Sequence, residues 1–492
     1  MNEEQVEVHS QAPVSVNVKR APIMISLIIG GFFAILNETL LNVALTELST
    51  EFGVTANTIQ WLTTGFMLVV GILVPITALL SGWFTTRQLF IGAMTLFTVG
   101  TIISGVAPAF PVLLIGRLVQ ASGTGLLIPV MMNTILHIYP PEKRGGAMGM
   151  VGLVIMFAPA IGPTLSGLIV EALSWRWLFF IVIPFALFSI AFSAVFLKNV
   201  STLTKPKVDI LSIVFSTLGF GGIVYGFSSA GEGHAGFSSP EVYLTISIGF
   251  ISLLLFVMRQ LKLEEPMLDV RAFKSPMFSL TAVLLIIVMM SMFSTMIILP
   301  MFLQSGLVLS AFVAGLALLP GGVLNGLMSP VAGKLFDKFG PRMLIIPGSA
   351  ILSIVLWLFT QVTTSTTLIT FIVLHSLLMI SVSLIMMPAQ TNGLNQLPKR
   401  YYAHGTAILN TLQQVGGAIG IALFISIMTA GSARYLENVD SSAGGNLQAE
   451  AMTAGVQTSF QVALVFALAA FILTLFIKRT EAPEETLTNA QS

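Results

Sequence analysis

The stretch ILNETLLNVAL, residues 35–45, sets a carboxylate, Glu38, between two amides, Asn37 and Asn42, inside the apolar run 23–45. A charged side chain at that depth in a bilayer costs about 3 kcal/mol or more, and intramembrane acids mark pathways for ions and protons. Arg117 lies in another apolar run, 112–137, and is the only Lys or Arg inside any run. Glu38 sits toward the end of its run and Arg117 toward the start of its own, so alternate crossings bring them to similar depth. Such a pair suits proton exchange. Removal from water favours the neutral acid, a nearby guanidinium favours the carboxylate, and the balance lets the group load and unload a proton. The structural alternative is an ion pair that joins the first and fourth helices. Asn42 one turn on and Gly31 two turns back share the face of Glu38, so that face points to a cavity rather than to lipid.

The elements that position these residues follow from composition. Of 492 residues, 55% are hydrophobic and only 9% charged, a balance that implies an integral membrane protein. A net charge of +1, with basic residues in short clusters, argues against a nucleic-acid partner. There is no cysteine, and His9, His137, His234, His375 and His404 lack ligand spacing, so no metal site is expected. No phosphate-binding loop is present, so no nucleotide is expected to drive the protein. The first twenty residues carry Glu3, Glu4 and Glu7 and read as a tail rather than a cleaved signal.

Apolar runs long enough to cross about 30 Å of hydrocarbon fall at 23–45, 59–82, 89–106, 112–137, 147–171, 178–197, 210–230, 242–258, 277–303, 311–332, 343–360, 368–387, 406–429 and 460–477. Each predicts a helix, because a barrel strand must alternate lipid-facing and lumen-facing residues. With the N-terminal tail in the cytoplasm, 19 of the 22 Lys and Arg fall on that side, leaving Arg176 and Arg434 opposite and Arg117 within a span. That asymmetry places both termini inside. The chain also repeats. PVAGKLFDKFGPRML, residues 330–344, matches PITALLSGWFTTRQL, residues 75–89, with Pro330 on Pro75, Phe339 on Phe84 and Arg342 on Arg87. The offset is too long for six spans by the length of two. The expected plan is all-α, six helices, two, then six, with the six-helix bundles as parallel repeats. The expected units are a tail at 1–22, a bundle at 23–200, two inserted helices at 201–262, a second bundle at 263–478 and a tail at 479–492.

At this point the chain resembles the major facilitator superfamily, and within it the fourteen-helix drug:proton antiporters. GKLFDKFGPR, residues 333–342, resembles the superfamily loop after the second helix of a half, carried here by Gly333, Asp337, Gly340 and Arg342. LIGRLVQASGTG, residues 114–125, resembles the fourth-helix motif built on an arginine, here Arg117. APAIGPTLSG, residues 158–167, resembles the antiporter motif of the fifth helix, with Gly162, Pro163 and Gly167. LNETLLNVAL is similar to the LDxTxVNVALP signature of the fourteen-helix branch. Two positions depart from these patterns. Asn37 stands where the signature has Asp, with the acid moved about 100° round the helix to Glu38, and Gly82 stands where the first loop copy would have Asp. With TTRQLF, these departures look like the lincomycin-efflux type.

The resemblance implies a proton-coupled exporter of lipophilic or amphipathic compounds in a bacterial cytoplasmic membrane. It would be monomeric, not an enzyme, without cofactor, and driven by the proton gradient through Glu38 and Arg117. Alternatives are an exporter of one metabolite or lipid class and a non-transporting membrane sensor. Asn42, Gln120, Met289, Met292, Phe293, Met296, Asn410, Gln413 and Gln414 are the expected cavity residues. MMSMFSTMIILPMF, residues 289–302, is either lipid-facing filler or an adaptable wall for varied apolar ligands. Asn410, Gln413 and Gln414 either line the cavity or link helices. Gly162, Pro163 and Gly167 serve close packing, bending, or both. Asp337 and Arg342 are expected to latch helix ends, and His375 reads as a packed histidine.

Overall fold

Hydrocarbon offers no water to backbone N–H and C=O groups, so every apolar run must close its own hydrogen bonds. The computed structural model describes residues 20–138, 157–159, 161–197, 199, 209–230, 238–264, 266–398, 401–438 and 447–479, and its spans are helices throughout. They are α1 (Arg20–Phe52), α2 (Trp61–Trp83), α3 (Thr86–Gly105), α4 (Phe110–Ile138), α5 (Phe157–Ala172) and α6 (Trp177–Phe196). Then come α7 (Ile210–Ser229), α8 (Pro240–Lys262), α9 (Pro276–Ser305), α10 (Ala311–Phe339), α11 (Arg342–Phe359), α12 (Leu368–Asn395), α13 (Tyr402–Asn438) and α14 (Leu447–Thr474). Among the described residues thirteen are long and apolar enough to cross a membrane, and α5 is the shorter one. The expected start of that fifth span, 147–156, lies outside the described residues.

Several helices outrun their apolar cores, α13 and α14 by the most residues. The hydropathic run predicts α14 from residue 460, yet the helix starts at Leu447. Its polar first turns are held by the neighbouring helix, where Tyr435 donates to Glu450 at 2.9 Å and Gly455 packs against Met428 and Gly431. Likewise α13 extends to Asn438, beyond the run that ends at residue 429.

The helices pack as the repeat requires. In the first bundle α4 lies between α2 and α3, with α6 on α1 and α3; in the second α12 touches α9, α10 and α11, and α14 touches α9, α11 and α13. The two copies of the loop motif turn by different devices. In the second, Gly340 has φ +77°, a left-handed conformation that glycine adopts without strain, and Pro341 precedes α11. In the first, Thr85 and Gln88 form a capping box at the start of α3 instead. Arg87 donates to the Ala194 carbonyl, and Arg342 donates to that of Leu475 at 3.1 Å. Each arginine thus ties the loop to the last helix of its own bundle. The Asp337 side chain lies outside what the structure describes.

Between the bundles the contacts gather toward the face opposite the termini. Thr429 donates to Asn57 at 3.4 Å, Gln304 to the Val43 carbonyl at 3.1 Å, and Thr164 to the Gly315 carbonyl at 3.1 Å. The Phe312 amide donates to exposed Glu171 at 3.3 Å, so that carboxylate caps α10 rather than entering a cavity. A Cβ on Gly315 would collide with the Pro163 carbonyl, so α5 and α10 touch along their backbones. At the terminal face a cleft of about 350 Å³, lined by Gln390, Thr391 and Asn395, opens beside α12 and α13.

The inserted pair is a hairpin whose first member touches both bundles. Ser228 near the end of α7 accepts from Gln60 at 3.0 Å, while Ser426 of α13 donates to the Phe227 carbonyl at 3.0 Å. At the other end Arg259 clamps Asp209 with two 2.7 Å bonds. The hydrogen bond from Arg259 holds that carboxyl below the usual carboxylate range, so the clamp persists at neutral pH and is lost only as acid protonates Asp209. Much of α8, including Tyr243, Ile248 and Phe250, is exposed for lipid to cover. Combining Gln60→Leu with Ser426→Ala should free α7 from both bundles and remove about 1 kcal/mol per hydrogen bond. The expected result is a lower thermal unfolding midpoint of the purified protein, with either single variant intermediate.

Candidate functional site

Arg117 places a fully buried charge in the membrane core, and the surrounding side chains are arranged to hold it. It is 0% exposed. Its Nη1 donates to Asn37 Oδ1 of α1 at 3.0 Å and to Gln120 Oε1 one turn along α4 at 2.6 Å. Its Nε donates to the Leu62 carbonyl of α2 at 3.3 Å, and the guanidinium lies 4.2 Å over the Phe66 ring. Gln120 in turn donates to Thr101 of α3 at 2.7 Å, and Asn37 donates to the Leu178 carbonyl of α6 at 3.1 Å. One arginine therefore joins five helices through amides, carbonyls, a hydroxyl and a ring. Every one of these partners is neutral. Its Nη2 has no hydrogen-bond partner among the described residues.

Glu38 is 8% exposed and makes no hydrogen bond or ion pair with any described residue. The ion pairs found join Arg176 with Glu51, Arg259 with Asp209 and Arg271 with Asp269, so the direct Glu38–Arg117 pair of the structural alternative is not formed. Asn37, at the signature's acid position, occupies the arginine instead. The carboxylate is left unpaired but within the arginine's field. Asn42, also buried, accepts from Thr63 of α2 at 3.5 Å, and Gly31 packs near Met131 of α4. The polar side of α1 is therefore buried against α2 and α4. Gly162 of α5 lies against Thr39, the residue after Glu38, where a Cβ would crowd the Thr39 side chain.

The other expected residues separate into distinct places. Met292, Met296 and Pro163 line one small cavity between α5, α9, α10 and α12. Met289 is buried, and Phe293 packs against Gly417 of α13 beside Met67 of α2. Asn410, Gln413 and Gln414 are half-buried on α13, with Gln413 Nε2 and Gln414 Oε1 lacking hydrogen-bond partners. Gly167 packs on Ala311 and Phe312, whereas a Cβ on Gly333 would meet nothing within 4 Å. Gly333, Gly340 and Arg342 sit at the terminal face, away from Glu38. Gln120 serves the arginine network rather than an open wall. Sequence reasoning missed Asn37 as the arginine's acceptor, and missed Asn325 and His375 on the small cavity. The amide at the signature's acid position was the signal for the first, and a histidine near the middle of the run 368–387 for the last.

No ≥3-residue group of His, Cys, Asp or Glu able to hold a metal occurs among the described residues. The pattern that describes the Major Facilitator Superfamily matches residues 27–421. The lincomycin resistance protein LmrB of Bacillus subtilis is 54% identical over 96% of this chain and 98% of its own length. That of Listeria monocytogenes is 52% identical over 94% and 98%. Among solved structures, a bacterial homologue of the human lysosomal transporter Spinster superposes with a TM-score of 0.66 at 14% identity, covering 93% of this chain and 97% of that one. The helix plan, the arginine network and these likenesses agree: the chain belongs to the major facilitator superfamily, on the branch that holds the two lincomycin resistance proteins.

Proposed function

We propose that the protein exports lipophilic or amphipathic compounds across a bacterial cytoplasmic membrane in exchange for protons. The observation that carries this reading is Glu38, a buried carboxylate without a partner, beside an arginine whose hydrogen bonds go to neutral groups. A carboxylate so placed can exchange a proton without dismantling the structure around it. The names of the relatives support export of drugs, and proton coupling is the general trait of the family. Both termini lie in the cytoplasm, with bundles at 23–200 and 263–478, and the protein works as a monomer.

In this reading the described conformation is open to the cytoplasm, because the bundles dock at the face opposite the termini. Substrate enters from the terminal side while Glu38 releases its proton there. Undocking of the opposite face then exposes both to the outside, where substrate leaves and Glu38 is reprotonated. Gly162 and Gly167 hold α5 close to α1 and α10, so α5 moves with the docking. At a potential of about 150 mV one inward proton supplies about 3.5 kcal/mol, enough for a gradient of a few hundredfold for a neutral solute.

Glu38→Gln keeps the side chain's shape and removes its titration. Uphill export driven by an imposed proton gradient in proteoliposomes should vanish while compound binding to purified protein persists; sustained uphill export would remove Glu38 from the role.

Asn57→Cys with Thr429→Cys, joined by a short bifunctional methanethiosulfonate that forms a disulfide with each cysteine, should hold the opposite face shut. The chain has no native cysteine, so the label is specific. Export should stop on cross-linking and return on reduction; export unaffected by a completed cross-link would mean that this face does not open.

Charge selectivity follows from Glu38 being the one unpaired buried acid described within a span. A dication needs two compensating carboxylates in a cavity of low dielectric, and Asp209 and Glu171 are engaged elsewhere. Cells should extrude a monocationic quaternary amine and fail to extrude its rigid dicationic counterpart, against a Glu38→Gln control. Equal extrusion of both would require a second anionic site.

A further inference from the structure

His375 is 3% exposed, deep in α12, and its Nδ1 has no hydrogen-bond partner among the described residues. An imidazole buried without partners is costly, and the site has been shaped to admit it. A Cβ on Gly321 of α10 would lie 2.9 Å from Nε2 and closer still to the ring carbon beside it. His375 lines a cavity of about 30 Å³ together with Asn325 of α10, Met292 and Met296 of α9, Met379 of α12 and Pro163 of α5.

Asn325 is the second hydrogen-bonding group of the cavity. Its Oδ1 accepts from Ser383 at 2.6 Å, and the same hydroxyl lies 3.0 Å from its backbone carbonyl, which fixes the amide's orientation. Its Nδ2 faces only a soft acceptor, Met379 Sδ, at 3.6 Å. An amide N–H and an imidazole with unused capacity therefore share one pocket whose remaining wall is thioether, proline, Leu318 and Gly322. Neutral imidazole offers one donor and one acceptor, and the amide nitrogen offers donors.

We propose that His375 and Asn325 form a substrate subsite that takes an uncharged hydroxyl, carbonyl or amide group borne on an otherwise apolar compound. The proposal rests on the carrier reading above and adds a recognition element on the second bundle. No carboxylate among the described residues lines the pocket, so a cationic group there would be uncompensated. The volume holds a group of water size, which suits a terminal substituent and not a whole compound. Three unbranched, polarizable methionines adapt to whatever apolar body carries that substituent. Pro163 closes the pocket from the first bundle, so the subsite is complete only while α5 is docked on α10.

The test compares pyrenemethanol with methylpyrene, matched in shape and differing by one hydroxyl, in fluorescence titrations of the purified full-length protein. Wild type should bind the alcohol about tenfold more tightly, the equivalent of one hydrogen bond. His375→Leu should bring that ratio to about one without changing methylpyrene affinity, Asn325→Leu should lower it, and His375→Gln should restore part of it. A wild-type ratio near one, or a ratio retained in both leucine variants, overturns the subsite. Uphill export by wild type is measured separately. Its absence with the ratio intact counts against the carrier and leaves the subsite standing, whereas a ratio of one with export intact removes the subsite alone.

Discussion

The constraint on which the first bundle depends is the need to satisfy a guanidinium in a space without water. A buried arginine cannot shed its proton to escape the cost, so the protein must supply acceptors from every side. It supplies them to Nε and Nη1 with the Leu62 carbonyl, Asn37 and Gln120, and sets the Phe66 ring against the guanidinium, while Nη2 has no hydrogen-bond partner among the described residues. Had a carboxylate taken Asn37's place, charge would have been cancelled by charge and a titratable group locked into a structural role. The neutral amide keeps the two groups apart. Arg117 is anchored by groups that never titrate, and Glu38 remains one position away, acted on by the arginine's field without being bonded to it.

That division explains what could and could not be read from the chain. The spans were legible because hydrocarbon forces long apolar runs into helices, and Lys and Arg distribution gave their alternation. The placement of Glu38 and Arg117 as buried charges within spans was legible because a charge within such a run is rare. Their lack of direct contact was not, since about 100° of helix rotation decides which of Asn37 and Glu38 meets the arginine, and rotation is set by packing against α4 and α6. The extra turns of α14 escaped the hydropathic pattern because Tyr435 and small residues of α13, not lipid, satisfy them. His375 and Asn325 stand in different helices. Their meeting depends on how α10 and α12 cross at Gly321, where a missing Cβ makes the room.

The docking of the two bundles links these local features. On one side α5 and α10 meet backbone to backbone at Gly315 and Gly167, directly beside both Thr39, next to Glu38, and the pocket of His375. On another, α2 meets α13, and α7 stands across their ends with one bond to each. Motion that draws Asn57 away from Thr429 must therefore also detach α7 from Gln60 or from Ser426, since Ser228 and Phe227 are adjacent on one rigid helix. The inserted hairpin is thus coupled to whether that face is closed. Its Asp209–Arg259 clamp at the far end keeps the hairpin itself intact while the bond to either bundle changes. The added pair consequently sits across the seam as a strap, and the energy needed to part the bundles includes the hydrogen bond that the strap gives up.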